Sequence, residues 1–257
     1  MASGAPAGGY PVGAIVRSAY RDTLADHPAV LRAAGFWMIA SFVVDLLAVL
    51  GSGREPTTAE PVPAPLQLLA FPLLLIGWVG LNALTVHRVR HLLLGDPPPR
   101  LMAPLDRYVA RYILAELLIG AVALLPALLA LALLAPVAGA PLAAMVGTAA
   151  AVGVFARLHL GLVGAALGEQ GLGLDRAWRA TAAVWPQVAV ALLACSAPLA
   201  LVSGMLGGWL VERGAPLTGS AIGTLGAFGQ AAVLAAFLAA SRRRLIGRGP
   251  GSSLVHS

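Results

Sequence analysis

Residues 113–137 read ILAELLIGAVALLPALLALALLAPV, an almost unbroken apolar run whose one charge, Glu116, stands near its start. A helix rises about 1.5 Å per residue, so a run of this length crosses the roughly 30 Å hydrocarbon core of a bilayer. Five further stretches meet the same requirement: Ala33 to Gly51, Leu66 to Val86, Leu142 to Leu162, Val188 to Val211 and Ala221 to Ala240. Backbone groups in hydrocarbon find no water to bond, and a helix satisfies them within one segment. The predicted fold is therefore all-α, a polytopic membrane bundle of six transmembrane helices.

Composition supports the same class. The 257 residues are 59% hydrophobic and 11% charged, with a mean hydropathy of +0.85, whereas soluble domains carry roughly 25% charge. The longest connection between apolar runs, His87 to Tyr112, is too short to bury a core of its own. One integral membrane domain over 1–257 follows, and any function lies in the helices or their margins. The net charge of +6 is carried by arginine alone, with no lysine, as GC-rich bacterial coding produces. These arginines are spread over several margins instead of forming one solvated face, so anionic lipid headgroups are the expected partners and nucleic acid is not.

Catalytic signatures are missing from the sequence. It holds no Gly-x-Ser-x-Gly, no phosphate-binding glycine loop with lysine, no His-Glu-x-x-His and no Cys-x-x-Cys. An enzymatic role is not expected, nor is a cofactor or a metal ion. The single cysteine, Cys195, lies inside an apolar run and reads as packing.

The distribution of arginine sets an orientation. Arg17, Arg21 and Arg32 precede the first run; Arg88, Arg90, Arg100, Arg107 and Arg111 lie between the second and third; Arg157, Arg176 and Arg179 lie at the fourth margin; Arg242, Arg243, Arg244 and Arg248 follow the sixth. Only Arg54 and Arg213 fall on the opposite side. Under the positive-inside rule this places both termini in the cytoplasm, in a bacterial inner membrane. Met1 to Pro11 is not followed by the apolar core of a cleaved signal peptide, so the first run is expected to serve as the insertion signal.

The basic margins resemble one another. Leu105-Asp106-Arg107-Tyr108 precedes the third run and Leu174-Asp175-Arg176-Ala177-Trp178-Arg179 the fifth, with a looser Arg17-Ser18-Ala19-Tyr20-Arg21-Asp22 before the first. The runs leave in a matched way too: Arg88, Arg157 and Arg242 are each followed by an apolar stretch that stops at Gly95, Gly168 and Gly247. A terminating glycine suits a helix end because it takes the left-handed conformation at little cost. Three units follow, 12–95, 104–168 and 173–247, each an amphipathic interfacial helix and a helical hairpin. The alternative is that any multi-pass bacterial protein acquires arginines and aromatics at such margins. In the repeat reading, Arg17, Arg21, Arg107, Arg111, Arg176 and Arg179 contact lipid headgroups, with half-wetted aromatics beside them.

Polar residues inside lipid are costly and are the default functional candidates. Asp45 and Asn82 lie within the first two runs, Glu116 lies about a turn above the inner boundary with Arg111 or Arg88 within reach, and Arg157 and His159 sit deep in the fourth run. Asp45 reads either as a proton or cation group or as a carboxyl that stays neutral, reaches the outer interface or pairs with Arg54. The helix bearing Arg157 and His159 is expected to emerge near them and follow the interface to Leu167. Gly204 with Gly208 and Gly219 with Gly223 form GxxxG pairs, and Gly147, Ala151 and Gly161 thin the fourth run for close helix packing. Pro72, Pro126 and Pro198 fall inside runs, where packed helices tolerate them.

The stretches His87-Arg88 through Leu92-Leu93-Leu94-Gly95-Asp96 and Leu174-Asp175-Arg176-Ala177-Trp178-Arg179 resemble a broad set of uncharacterised bacterial six-helix membrane proteins. They are similar to the helical membrane domain that some bacteria fuse to glycerophosphodiester phosphodiesterases. The phosphodiesterase part has no counterpart in this sequence, so no activity is carried over, and the resemblance implies a cytoplasmic-membrane protein with lipid-adjacent interfacial helices. Two functions remain in view: a non-enzymatic scaffold or lipid-associated accessory protein, and a small transporter or permease for lipid-like or small solutes, which internal repetition, in-run prolines and Asp45 favour. Reporter fusions test the topology: a reporter active only outside the cytoplasm is expected to be active at Arg54 and Arg213 and silent after Ser257. Cytosolic reporter activity at Arg54 or Arg213 would contradict it.

Overall fold

The computed structural model describes residues 9–52, 64–99, 102–169 and 173–247, without the side chains of 45, 47–52 and 64–74. Arg54, Arg100 and Arg248 lie outside the described residues. The described residues are 87% helix, with no strand among them. Eight helices follow in order among the described residues: α1 (Val12–Ala25), α2 (His27–Ser52), α3 (Ala64–Leu94), α4 (Arg107–Ala138), α5 (Ala140–Leu167), α6 (Leu174–Ala180), α7 (Trp185–Glu212) and α8 (Pro216–Leu245).

Five of them are long and apolar enough to cross a membrane: α2 over His27–Val44, and the whole of α4, α5, α7 and α8. Their apolar side chains are widely uncovered, as lipid-facing helices require. On α4, Leu125 is 60% and Leu133 69% exposed, a surface that no water-facing helix would sustain. The remaining predicted span, Leu66 to Val86, coincides with α3, whose residues 64–74 have no described side chains. Five spans, not six, therefore stand on the described residues.

The chain divides into two compact units. The first holds residues 1–19, 106–194 and 237–257 and is organised about the second half of α5, where every residue from Leu158 to Gly164 is buried. Small residues make this possible: a β-carbon on Gly147 would sit 3.0 Å from the Ala127 carbonyl of α4, and one on Gly161 3.1 Å from Leu174. Leu160 packs with Ala177 of α6 and with Leu245 and Ile246. The segment past Arg157, expected to follow the interface to Leu167, is a continuous part of α5 whose residues Leu158 to Gly164 are covered by other parts of the protein.

The second unit holds residues 20–105 and 195–236. Within it α2 and α3 meet at Gly80, where a β-carbon would lie 2.8 Å from Trp37. The Trp37 indole in turn donates to the Ala103 carbonyl at 3.0 Å, and Ala103 N donates to Ala33 O at 2.9 Å, which seats the connection after α3. Between α7 and α8 the close approach is made by Gly207 and Gly219: a β-carbon on Gly219 would meet the Gly207 carbonyl oxygen at 2.5 Å. Gly204, Gly208 and Gly223 have open space beside them. Glycine does thin this pair of helices, through Gly219 of the predicted Gly219 and Gly223 pair but not through Gly204 and Gly208, and its partner Gly207 lies outside both pairs.

The three terminating glycines, Gly95, Gly168 and Gly247, have φ of 75°, 74° and 85° and end α3, α5 and α8 as anticipated. One of the three leading helices differs from expectation. α1 and α6 are separate short helices, whereas Asp106 caps Tyr108 N and Val109 N and Arg107 to Arg111 form the first turns of α4 itself. Asp106 launches the helix directly because its carboxylate satisfies two of the orphan N–H groups.

Gly80→Ala should lower the unfolding temperature in detergent, by the equivalent of about 1–3 kcal/mol, since Trp37 must shift. Gly35→Ala, with open space at its β-carbon, should leave it unchanged or raise it slightly.

Candidate functional site

Polar side chains of both units gather where helices end. In the second unit, Arg88 of α3 is only 4% exposed. Its guanidinium pairs through Nη1 with the Asp26 carboxylate and donates through Nη2 to the Asp22 carbonyl at 2.8 Å. Asp26 is the single residue between α1 and α2, so this ion pair ties the end of α3 to the joint of the first two helices. Arg90 pairs with Asp96 at 2.7 Å, just past the terminating glycine. Both histidines of this helix end serve the same connection. His87 Nε2 donates to the Pro104 carbonyl at 2.9 Å, and His91 Nδ1 donates to the Asp96 carbonyl at 2.7 Å while its Nε2 lies 3.4 Å from Asp26.

Arg157 and Arg242 do corresponding work in the first unit. Arg157 donates to the Trp178 carbonyl at 3.1 Å and lies over the Trp178 ring, 4.0 Å from its centroid. Thr181 donates back to the Arg157 carbonyl at 2.9 Å, so α6 is held against α5 by both side chain and backbone. Arg242, 6% exposed, pairs with Glu169, the residue after the second terminating glycine. Arg88, Arg157 and Arg242 occupy the same place in the predicted repeat. In each, Nη groups make the tie and the buried Nε has no partner among the described residues.

The other sequence candidates are distributed differently. Asn82 is buried and spends its amide on its own helix, donating to Trp78 O at 3.0 Å. His159 is fully buried: Nδ1 donates to Ala156 O at 2.8 Å, the ring lies 5.8 Å from that of Phe237, and Nε2 has no partner among the described residues. Glu116 is half-buried, and Arg88, one of its two expected partners, is instead committed to Asp26. Asp45 lies in α2 with its side chain outside the described residues. The six headgroup candidates, Arg17, Arg21, Arg107, Arg111, Arg176 and Arg179, are all exposed. Arg179 pairs with Asp175 across one helical turn and Arg21 with Asp22 at 3.4 Å.

Tyr20 donates to the Cys195 carbonyl at 3.0 Å. Burial, then the neighbouring Cys195, pushes its phenol above the ordinary value. No three histidine, cysteine or acidic residues converge on a metal-sized point among the described residues. Sequence reasoning missed Asp26 and Glu169 as partners, although each is an acid at a helix junction, the one signal that pointed to them. Comparison with protein-family models, with curated proteins and with solved structures gives no match.

Asp26→Ala leaves the Arg88 guanidinium without its counter-ion, and stability in detergent should fall by about 1–3 kcal/mol in denaturant titration. Asp175→Ala removes an exposed i,i+4 pair and should cost less than about 0.5 kcal/mol in the same assay.

Proposed function

We propose that the chain is a multi-pass protein of the bacterial cytoplasmic membrane with six spans, α3 supplying the sixth, and both termini in the cytoplasm. Its role is that of a non-enzymatic scaffold or lipid-associated accessory protein, built from three units over 12–95, 104–168 and 173–247. The likeness to bacterial six-helix membrane proteins and to the domain fused to glycerophosphodiester phosphodiesterases fits the same role.

The observation that carries this reading is the use made of the three exit arginines. A transport path needs polar groups held ready for solute or water. Here Arg88, Arg157 and Arg242 are bound to Asp26, Trp178 and Glu169, and Asn82 is bound to its own helix. Such groups act as ties between helix ends. The matched arginines and the matched left-handed glycines also support the threefold repeat. The exposed arginines leave the margins basic, which favours anionic headgroups by about 1 kcal/mol for each one near the surface.

Vesicles reconstituted with the purified chain test the choice between scaffold and transporter. Neither solute uptake nor lipid flipping is expected above the protein-free rate, and Asp45→Asn should behave as the wild type. Transport that depends on Asp45 would replace the scaffold with a permease.

A further inference from the structure

A cleft of about 320 Å³ opens in the first unit between the start of α4, the end of α5 and the start of α6, with Arg111, Ala115, Leu118, Ala165, Glu169 and Leu174 among its lining residues. Its two ends differ in chemistry. Arg111, Ala115 and Leu118 follow one another at helical spacing along one stripe of α4. The guanidinium therefore marks one end, and the other is closed by alanine and leucine. Leu118 is 51% exposed and continues into the uncovered leucines of α4, so the apolar end opens onto the flank of a membrane-spanning helix.

Arg111 is available for a ligand. It is exposed and makes no hydrogen bond or ion pair with any described residue. The one acid of the cleft, Glu169, is held by Arg242, itself 6% exposed, and so its charge is already met by a buried cation. Gly168 sets the geometry. At φ of 74° it lacks the β-carbon that would lie 2.7 Å from the Tyr108 ring and 3.5 Å from Arg111 Nη1, and this lets both side chains lie over the turn. The exposed Arg107, whose Nη2 donates to the Tyr108 hydroxyl at 2.9 Å, adds positive charge beside that ring.

We propose that this cleft binds one anionic phospholipid, its phosphate on the Arg111 guanidinium and the first part of an acyl chain along Ala115, Leu118 and Leu174. A guanidinium fork matches the oxygens of a phosphate bidentately, and weak hydration lets it do so at a partly dry site. The volume falls in the range of small-ligand clefts, roughly 300–1,000 Å³. An acyl chain is the occupant that fits a cleft apolar at one end and continuous there with a lipid-facing helix. The proposal deepens the reading of the arginine margins as lipid-facing and rests on it.

The test uses the full chain in detergent, titrated with phosphatidylglycerol and read by native mass spectrometry. One saturable lipid adduct is expected, weakened about tenfold or more in Arg111→Gln, partly retained in Arg111→Lys and unchanged in Arg213→Gln. Ala165→Leu, which fills the apolar wall, should also weaken it while the unfolding temperature stays near that of the wild type. Inorganic phosphate in millimolar excess should fail to displace the lipid, and phosphatidylcholine should bind more weakly. Equal phosphatidylglycerol binding in wild type and Arg111→Gln would overturn the site, and displacement by inorganic phosphate would assign the cleft to a free anion. Enrichment of anionic spin-labelled lipid around the reconstituted protein separates the two levels. Enrichment that survives in Arg111→Gln but falls when Arg17, Arg21 and Arg176 are neutralised, with no saturable adduct, sinks the cleft and leaves the basic margin standing. No enrichment at all sinks both.

Discussion

A guanidinium stays charged at any pH the chain will meet, and hydrocarbon offers it nothing to bond. Arginine must therefore reach either water and headgroups or a counter-group supplied by the protein, and both solutions occur. Six arginines of the leading segments are exposed. Arg88 and Arg242 are instead almost wholly covered, and each meets a carboxylate at the end of another helix. Burying an ion pair contributes little net stability against an apolar substitute, but removing one partner is expensive. Such pairs select which helix ends can lie together, and the apolar packing of the helices supplies the contact area.

The small residues follow from the same constraint. Helices in lipid gain little from hiding apolar surface, so association depends on close van der Waals approach. Gly147 against Ala127, Gly80 against Trp37 and Gly207 against Gly219 provide it. Where a glycine has open space, as at Gly204 and Gly208, it marks no contact. The spacing of glycines alone therefore says little about which face packs.

Much of the fold was legible because its signals are local. Apolar runs of spanning length located α2, α4, α5, α7 and α8, and the terminating glycines Gly95, Gly168 and Gly247 were readable from their position after an arginine and an apolar stretch. What escaped was long-range. Nothing in the residues around Arg88 names Asp26, 62 positions away, and nothing around Arg242 names Glu169, 73 positions away. The cover over the end of α5 was long-range as well: nothing in the residues around His159 shows that it is fully buried with Phe237 beside its ring. The fusion of the leading segment into α4 depends on the Asp106 carboxylate turning back to two N–H groups, which the recurring Asp-Arg pair did not distinguish from a separate helix.

The most direct measurement is a depth profile along α4 in reconstituted bilayers. Single nitroxide labels at Arg107, Leu118, Leu125 and Leu133, placed on a Cys195→Ser background, are read by collision with oxygen and with a water-soluble nickel chelate. If uncovered leucines meet hydrocarbon and the guanidinium margin meets headgroups, oxygen collisions peak near Leu125 and nickel collisions are high only at Arg107. High nickel accessibility at Leu125 would mean that this face is wet, and the assignment of α4 to the membrane would fall.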